Sequence, residues 1–160
     1  MEKIKMITAL NVANTFIDRA KQDNINITPM KLQRLIYIFY KEYLKKTNKK
    51  LFEEKFEVWK YGPVLSDVYY AFQKYRANAI DDFYYDDDKK NYTTVKLIPG
   101  TAFYSIFNDV WGKYSHYSGT FLSDLTHQEG TSWSKADCRN DSYLEDREIF
   151  EEESYNVTNY

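Results

Sequence analysis

One stretch of the chain, residues 28–46, constrains the fold more than any other. Thr28 followed by Pro29 predicts a helix start, because a threonine hydroxyl accepts an unpaired backbone N–H and proline at the first helical position loses no hydrogen bond. The apolar residues that follow recur at intervals of three and four: Leu32, Leu35, Ile36, Phe39, Tyr40, Tyr43 and Leu44. Such a helix has a broad apolar stripe that other elements must cover.

The cations of this helix occupy its other positions, and we interpret them as a solvated face: Lys31, Arg34, Lys41, Lys45 and Lys46. Helical spacing also predicts helices elsewhere in the chain, at residues 6–20, 65–75, 103–114, 121–125 and 133–138. Ser118 is the predicted cap of the helix around Phe121, and Thr131 or Ser132 caps the last one. The predicted fold class is mainly α, a compact helical domain of about five to six helices.

Two segments have the composition of short β-strands. Residues 56–59 alternate briefly and run into Gly62 and Pro63, which predicts a strand and a tight turn, with Pro63 opening the next helix. Residues 92–98 contain Thr93, Thr94 and Val95, which are β-branched, and form a second candidate strand. The mainly α fold is therefore expected to include one or two short β-strands.

Two acidic segments are predicted to lie outside the packed elements. Residues 80–90 form a loop, since five aspartates so close together repel one another, and they lack the ligand spacing and turn glycine of a calcium loop. Residues 141–160 have Ile149 and Phe150 as their one adjacent strongly apolar pair, so this tail is expected to be loosely docked or mobile. The predicted division is a helical domain at 1–140 and an acidic C-terminal tail at 141–160.

Charge and composition narrow the class of protein. The first 62 residues carry a net charge of +6 and the remaining 98 one of −8, and this acidic excess argues against nucleic-acid binding by the whole domain. A mean hydropathy of −0.68 without a long apolar run argues against a membrane-spanning helix, and the first residues lack a secretory pattern, which favours the cytoplasm. Aromatic residues reach 18%, which indicates either exposed tyrosines at a binding surface or a codon bias.

The chain offers little for catalysis or for a cofactor. Cys138 with His116 and His127 matches no zinc spacing, and the five isolated glycines form neither a P-loop nor a dinucleotide motif. We therefore expect no metal and no cofactor. His127 with Glu129 is the one pair that resembles a catalytic site, but no independent nucleophile accompanies it. We favour a structural role for His127 in the turn before the last helix, with catalysis as the alternative.

Three runs of sequence carry a resemblance to a known family. They are TPMKLQRLIY at residues 28–37, FEVWKYGPV at residues 56–64 followed by Val68, Tyr69, Phe72 and Tyr75, and LSDLTHQEGTSW at residues 122–133 with Ala136. In order and spacing they resemble the Panacea domain, the antitoxin domain of the SocA and GepA type. The resemblance extends from the first helix to about Ala136.

This resemblance implies a mainly helical domain that neutralises a toxic partner protein by binding it, without enzymatic activity. The implied partner is a cognate toxin or a host target protein, and some relatives deliver the toxin to a protease or unfoldase; no membrane partner is implied. The family runs supply the candidate partner-binding residues, which have a role in the fold as their alternative: Trp59, Tyr61, Gly62, Pro63, Tyr69, His127, Glu129 and Trp133.

The main hypothesis is a bacterial or phage antitoxin that covers its toxin. The alternative is a phage-encoded inhibitor of a host defence protein, in which the acidic residues between Glu145 and Glu153 imitate nucleic-acid phosphates on a basic target.

Overall fold

The computed structural model describes residues 6–86 and 91–157 and confirms a mainly α fold with short strands. Its elements, in chain order, are α1 (Ala9–Asp23), α2 (Pro29–Thr47), β1 (Glu57–Trp59), β2 (Gly62–Val64), α3 (Ser66–Phe72), α4 (Ala102–Tyr114), α5 (Gly119–His127), α6 (Ser132–Cys138) and α7 (Asp146–Glu151). A short 3₁₀ helix, Gln73–Tyr75, extends α3. No helix within the described ranges is long and apolar enough to cross a bilayer.

Helix α2 lies at the centre of the molecule, and every residue from 31 to 40 is buried. It begins as predicted, with the Thr28 hydroxyl accepting the Lys31 N–H at 3.2 Å. Its apolar stripe packs against α1 and α4, where Phe39 lies edge-on to Phe16 and Phe103, with ring centroids 5.8 and 4.9 Å apart. Contacts with α3, α5, α7 and β2 cover the rest of α2.

The prediction of a solvated cationic face on α2 is wrong for three of its residues. Lys31, Arg34 and Lys41 are buried, because neighbouring elements cover α2 on several sides. Each is paired with oxygen atoms: Lys31 donates to the Ser115 carbonyl, for example. Burial lowers the pKa of Lys31 and of Lys41.

The predicted strand and tight turn form a two-stranded hairpin. Trp59 pairs with Gly62 and Val58 with Pro63 in the antiparallel register of β1 and β2. Pro63 therefore belongs to β2 and does not open the next helix, which begins three residues later at Ser66. The outer edge of β1 bonds to the chain around residue 143, where the Val58 N–H donates to the Ser142 carbonyl at 3.0 Å.

Residues 92–98 do not form the second predicted strand. They are held instead by side chains of α1: the Thr15 hydroxyl accepts the Val95 N–H at 2.8 Å, and the Asn14 amide donates to the Thr93 carbonyl at 3.2 Å. These side chains satisfy backbone groups that a strand partner would otherwise take. Residues 80–86 contain neither helix nor strand, as predicted, whereas Asp87 and Asp88 lie outside the described residues.

The prediction of a loosely docked C-terminal tail is wrong for residues 141–157. This segment forms α7 and packs on α2, with Ile149, Glu152 and Tyr155 buried. The acidic composition concealed this docking, because two of the acidic side chains, Glu148 and Glu152, bond to partners inside the molecule.

A buried polar cluster fixes this segment, and we call it the C-terminal clamp: Tyr37, Lys41, Ser132, Glu152 and Tyr155. One oxygen of the Glu152 carboxylate accepts the Tyr37 hydroxyl at 2.8 Å and the Ser132 backbone N–H at 2.7 Å. Its other oxygen accepts Lys41 at 3.3 Å and the Tyr155 hydroxyl. The Lys41 ammonium also lies 3.3 Å from the centroid of the Tyr155 ring. A carboxylate buried in this way is compensated by hydrogen bonds and by an opposite charge.

Candidate partner-binding site

Arg34 of α2 holds the turn of the hairpin by its backbone. Its Nη2 donates to the Tyr61 carbonyl at 2.8 Å, and its Nη1 donates to the Pro63 carbonyl. The residue is 3% exposed, and burial lowers the pKa of its guanidinium to about 10. Its Nε is buried and has no hydrogen-bond partner among the described residues.

The Arg34 guanidinium explains the glycine of the hairpin. Gly62 has a φ of 133°, a conformation that side-chain-bearing residues rarely adopt. A Cβ at this position would lie 2.9 Å from the Arg34 Cζ. Gly62 therefore serves both the turn geometry and the close approach of the arginine.

Gln33, the neighbour of Arg34, fixes the start of α3. Its side-chain amide donates to the Leu65 carbonyl and accepts the Leu65 N–H, both at 3.0 Å. This pair satisfies both backbone groups of a buried residue that follows the hairpin. Together, Gln33 and Arg34 attach the hairpin and the helix after it to α2.

Helices α5 and α6 hold the hairpin from another side. The Ser123 hydroxyl donates to the Tyr61 carbonyl at 2.5 Å, and the Trp133 indole N–H donates to the Trp59 carbonyl at 2.8 Å. The His127 Nδ1 bonds to the Ser123 carbonyl, and its ring stands edge-on to Trp133 with centroids 5.4 Å apart. His127 and Trp133 therefore support the hairpin.

Glu129 is exposed, and among the described contacts no hydrogen bond or ion pair joins it to His127. The structure thus does not bring together the one pair that resembled a catalytic site. Nor do the described residues contain a group of three or more His, Cys, Asp or Glu side chains that could hold a metal ion.

Beside the hairpin, α2 and α3 border an open groove with a volume of about 1170 Å³. Trp59 and Tyr69 form one wall, with ring centroids 4.7 Å apart, and Tyr69 in turn contacts Tyr70. Tyr61 and Tyr70 are 56% and 65% exposed, although both are large aromatic residues. The apolar residues that line the groove are Pro29, Met30, Leu32, Val64, Val68 and Phe72.

The groove is also positively charged. Its lining includes Arg34, Lys60, Lys74 and Arg76, and no aspartate or glutamate is among its described lining residues. Lys60, Lys74 and Arg76 are exposed. This is an unusual composition in a chain with a net charge of −2.

Five of the eight candidate residues, Trp59, Tyr61, Gly62, Pro63 and Tyr69, belong to the hairpin or to α3 beside it, and Trp59, Tyr61 and Tyr69 line the groove. Gly62 and Pro63 are buried in β2.

The sequence interpretation missed Gln33, Arg34 and Ser123. A signal for them was present, since Gln33 and Arg34 stand on an otherwise buried helix and Ser123 lies in the third family run. From sequence alone, however, a buried polar residue of a helix cannot be distinguished from a solvated one.

A comparison with protein families covers the hairpin and the helices around it. The family model "Antitoxin SocA-like, Panacea domain" matches residues 32–134, a range that includes the hairpin, both arginine-bound carbonyls and all eight candidate residues. The chain belongs to this family. The match ends before α7, so the acidic part of the C-terminal clamp lies outside the Panacea domain match.

A curated relative is similar over a shorter range. The chain is 36% identical over 66 residues to a protein named antitoxin SocA from Caulobacter vibrioides (strain NA1000 / CB15N). The aligned part covers 41% of this chain and 35% of that relative, so the match spans about a third of the relative's length. No solved structure matches the chain.

Proposed function

We propose that this chain is an antitoxin that neutralises a toxin protein by binding it directly. Membership of the SocA-like Panacea family supports the antitoxin role. The proposal of direct binding depends on the groove. Its exposed aromatic side chains belong to the part of the chain that the family model matches. Large aromatic residues beside apolar pockets are typical anchors of protein interfaces.

In this mechanism the fold supplies a rigid frame and the groove supplies the contacts. Arg34, Ser123 and Trp133 hold the hairpin backbone from three helices, so Trp59 and Tyr61 are presented from a fixed turn. A preorganised surface loses less conformational entropy on binding than a flexible one. The toxin is neutralised because the antitoxin covers the surface that the toxin needs.

Binding is preferred to catalysis because of the state of His127. Its Nδ1 is occupied by the Ser123 carbonyl and its ring packs on Trp133, so it supports the hairpin. Glu129 is exposed and has no described contact with it. A general base needs a nucleophile or substrate proton within hydrogen-bond reach.

Inhibition of a host defence protein by phosphate mimicry is less well supported. Three acidic residues of that segment are engaged inside the molecule: Asp146 accepts the Tyr40 hydroxyl at 2.7 Å, Glu148 accepts Arg139 at 2.6 Å, and Glu152 is in the C-terminal clamp. Glu148 and Glu152 are also buried, so fewer carboxylates are free for a basic target.

The test is co-expression with the product of the adjacent gene in a bacterial host. That product alone should arrest growth, and this chain should restore growth and purify with the toxin as a stable complex. Restored growth with a fall in toxin level, reversed when the host's ATP-dependent proteases are deleted, would indicate delivery to a protease in place of occlusion. Growth that stays arrested would reject the antitoxin role.

A further inference from the structure

The groove beside the hairpin has a chemistry that narrows its partner. Three exposed cations, Lys60, Lys74 and Arg76, stand at the groove without a carboxylate among its described lining residues. The ammonium groups of Lys60 and Lys74 lie 5.2 Å from the ring centroids of Tyr61 and Tyr75, and neither forms a described salt bridge. Lys74 contributes to the lowered pKa of the Asp82 carboxyl, which does not line the groove. No carboxylate among the described residues forms an ion pair with Lys60 or Arg76, so positive charge remains at the groove.

The apolar surface of the groove lies next to these charges. Met30, Tyr61 and Tyr70 are exposed, and Val64, Val68 and Phe72 are buried residues that contribute to the lining. A segment that binds here must therefore place an apolar side chain and negative charge close together in its sequence.

The backbone of the hairpin takes no part in this recognition. The outer edge of β1 forms hydrogen bonds with residues 142 and 144. On the other side of the hairpin, Arg34 donates to the Tyr61 carbonyl in the turn and to the Pro63 carbonyl in β2. Added-strand pairing, in which a partner extends a sheet, is therefore not available at this hairpin. Recognition of the partner must therefore come from side chains of the groove.

From this combination we infer that the groove binds an acidic peptide segment of the partner protein that also carries an aromatic or aliphatic anchor. The anchor enters the apolar lining, and the carboxylates of the segment pair with Lys60, Lys74 and Arg76. This inference rests on the proposed function, because the segment belongs to the toxin. It goes beyond that function by stating the chemistry of the bound segment.

A peptide fits these observations better than a nucleic acid does. Proteins that bind DNA commonly contact about six to ten phosphates, whereas three exposed cations line this groove. Trp59 and Tyr69 pack against each other at an interplanar angle of 61°, so their faces are partly used within the protein. Bases stack on free aromatic faces.

The test uses the full chain as bait for a phage-displayed library of random peptides, followed by synthesis of the enriched sequences with a fluorescent label. Enriched peptides should combine aspartate or glutamate with an aromatic or aliphatic residue. The triple variant Lys60→Glu, Lys74→Glu, Arg76→Glu should weaken their binding by at least about tenfold, and binding should fall as salt rises.

The matched control is the triple variant Lys49→Glu, Lys55→Glu, Lys96→Glu. It changes the net charge by the same amount at exposed lysines that do not line the groove, and it should keep wild-type affinity. Both variants should keep the wild-type circular dichroism spectrum and melting temperature. An additional variant, Tyr61→Ala, removes an exposed aromatic group and should weaken binding without a change of charge.

Three outcomes would overturn the inference: no enrichment of acidic peptides, equal weakening by both triple variants, or tighter binding of a labelled oligothymidylate or DNA duplex at about 150 mM salt. The co-expression assay separates this inference from the proposed function. If the groove variant still neutralises the toxin, the groove inference fails and the antitoxin role stands. If the wild-type chain fails to neutralise the toxin, the antitoxin role fails whatever the groove binds.

Discussion

Two of the three cations that helix α2 buries, Arg34 and Lys41, are seven residues apart, and the molecule compensates their charges in different ways. Residues at this spacing lie two turns apart on the same helix face. Lys41 faces the Glu152 carboxylate at 3.3 Å, within the C-terminal clamp. Arg34 faces backbone carbonyls of the hairpin, and no carboxylate among the described residues pairs with it.

This difference distinguishes the C-terminal clamp, which is satisfied within the molecule, from the groove, which is open to a partner. At the clamp, opposite charges cancel and the residues around them are buried. At the groove, the buried Arg34 has backbone carbonyls and no described carboxylate as partners, and it shares the lining with three exposed cations. Two cations on one helix face therefore have different consequences, set by the elements that pack against them.

Alkaline pH should give the largest effect, and the two most deeply buried tyrosines that it acts on belong to the clamp. Burial, followed by the charge of Glu152, raises the pKa of Tyr37, and burial followed by Tyr37 and Glu152 raises that of Tyr155. Both tyrosines stay protonated in the folded state above pH 10 but ionise in the unfolded chain. The stability they contribute is fully present below pH 10 and is lost above it, by about 3 kcal/mol per pH unit for the two. Burial also raises the pKa of Tyr40 and of Tyr114, which therefore add to the same effect.

Lys41 acts in the opposite direction, because its lowered pKa makes stability rise with pH only up to its ordinary value of 10.5. Above that pH the tyrosines dominate, and the chain should unfold cooperatively. Circular dichroism and tyrosinate absorbance followed together against pH will check this. Ionisation of all tyrosines before any loss of helix would contradict the buried clamp.

Removal of the clamp carboxylate is the next largest effect. Glu152→Ala leaves Lys41 buried without its counter-charge and leaves the Ser132 N–H unpaired, which should cost about 3–5 kcal/mol of unfolding free energy. Glu153→Ala, at an exposed neighbouring carboxylate, is the matched control and should change stability by less than about 0.5 kcal/mol. Chemical denaturation measures both, and equal values would show that the clamp adds nothing.

How well the sequence predicted the structure depends on which interaction forms each element. The long helices and their caps were predictable, because periodicity and the residues Thr28, Ser118 and Thr131 act locally. The docking of residues 141–157 was not predictable, because it includes a buried carboxylate that meets α2 from 111 residues away in the sequence. Composition alone describes Glu152 as one more acid in an acidic tail.

The candidate site shows the same limit. The family runs identified the hairpin residues, but the position of Arg34 at Gly62 is a tertiary contact that no local pattern predicts. The exposed cations of the groove come from the hairpin turn and from the 3₁₀ helix that follows α3. They are distant in the sequence, so only the folded structure shows that they line one groove.

At the arginine site, two glycines provide a test of the close approach. Gly62→Ala imposes backbone strain and places a methyl group 2.9 Å from the Arg34 Cζ, which should cost about 2–3 kcal/mol. Gly100→Ala imposes strain at a φ of 92° but meets no atom within 4 Å, so it should cost about 1 kcal/mol. The difference between their denaturation midpoints isolates the arginine contact. Equal costs would show that the turn conformation alone requires Gly62.

The smallest expected effect concerns the support of the hairpin by α6. Trp133→Phe keeps the aromatic packing on His127 but removes the hydrogen bond to the Trp59 carbonyl, which should cost about 1 kcal/mol. Glu129→Gln, at an exposed position of the same family run, should change stability by less than about 0.5 kcal/mol.

The same two variants distinguish a supporting role from a binding role. If Trp133 acts only through the hairpin, Trp133→Phe should weaken toxin binding no more than its loss of stability explains, while Lys60→Glu should weaken binding without loss of stability. A stable Glu129→Gln variant that no longer neutralises the toxin would move the functional surface away from the groove to the turn between α5 and α6. The family run around His127 would then contact the partner itself, and the contrast between a closed clamp and an open groove would no longer locate the binding site.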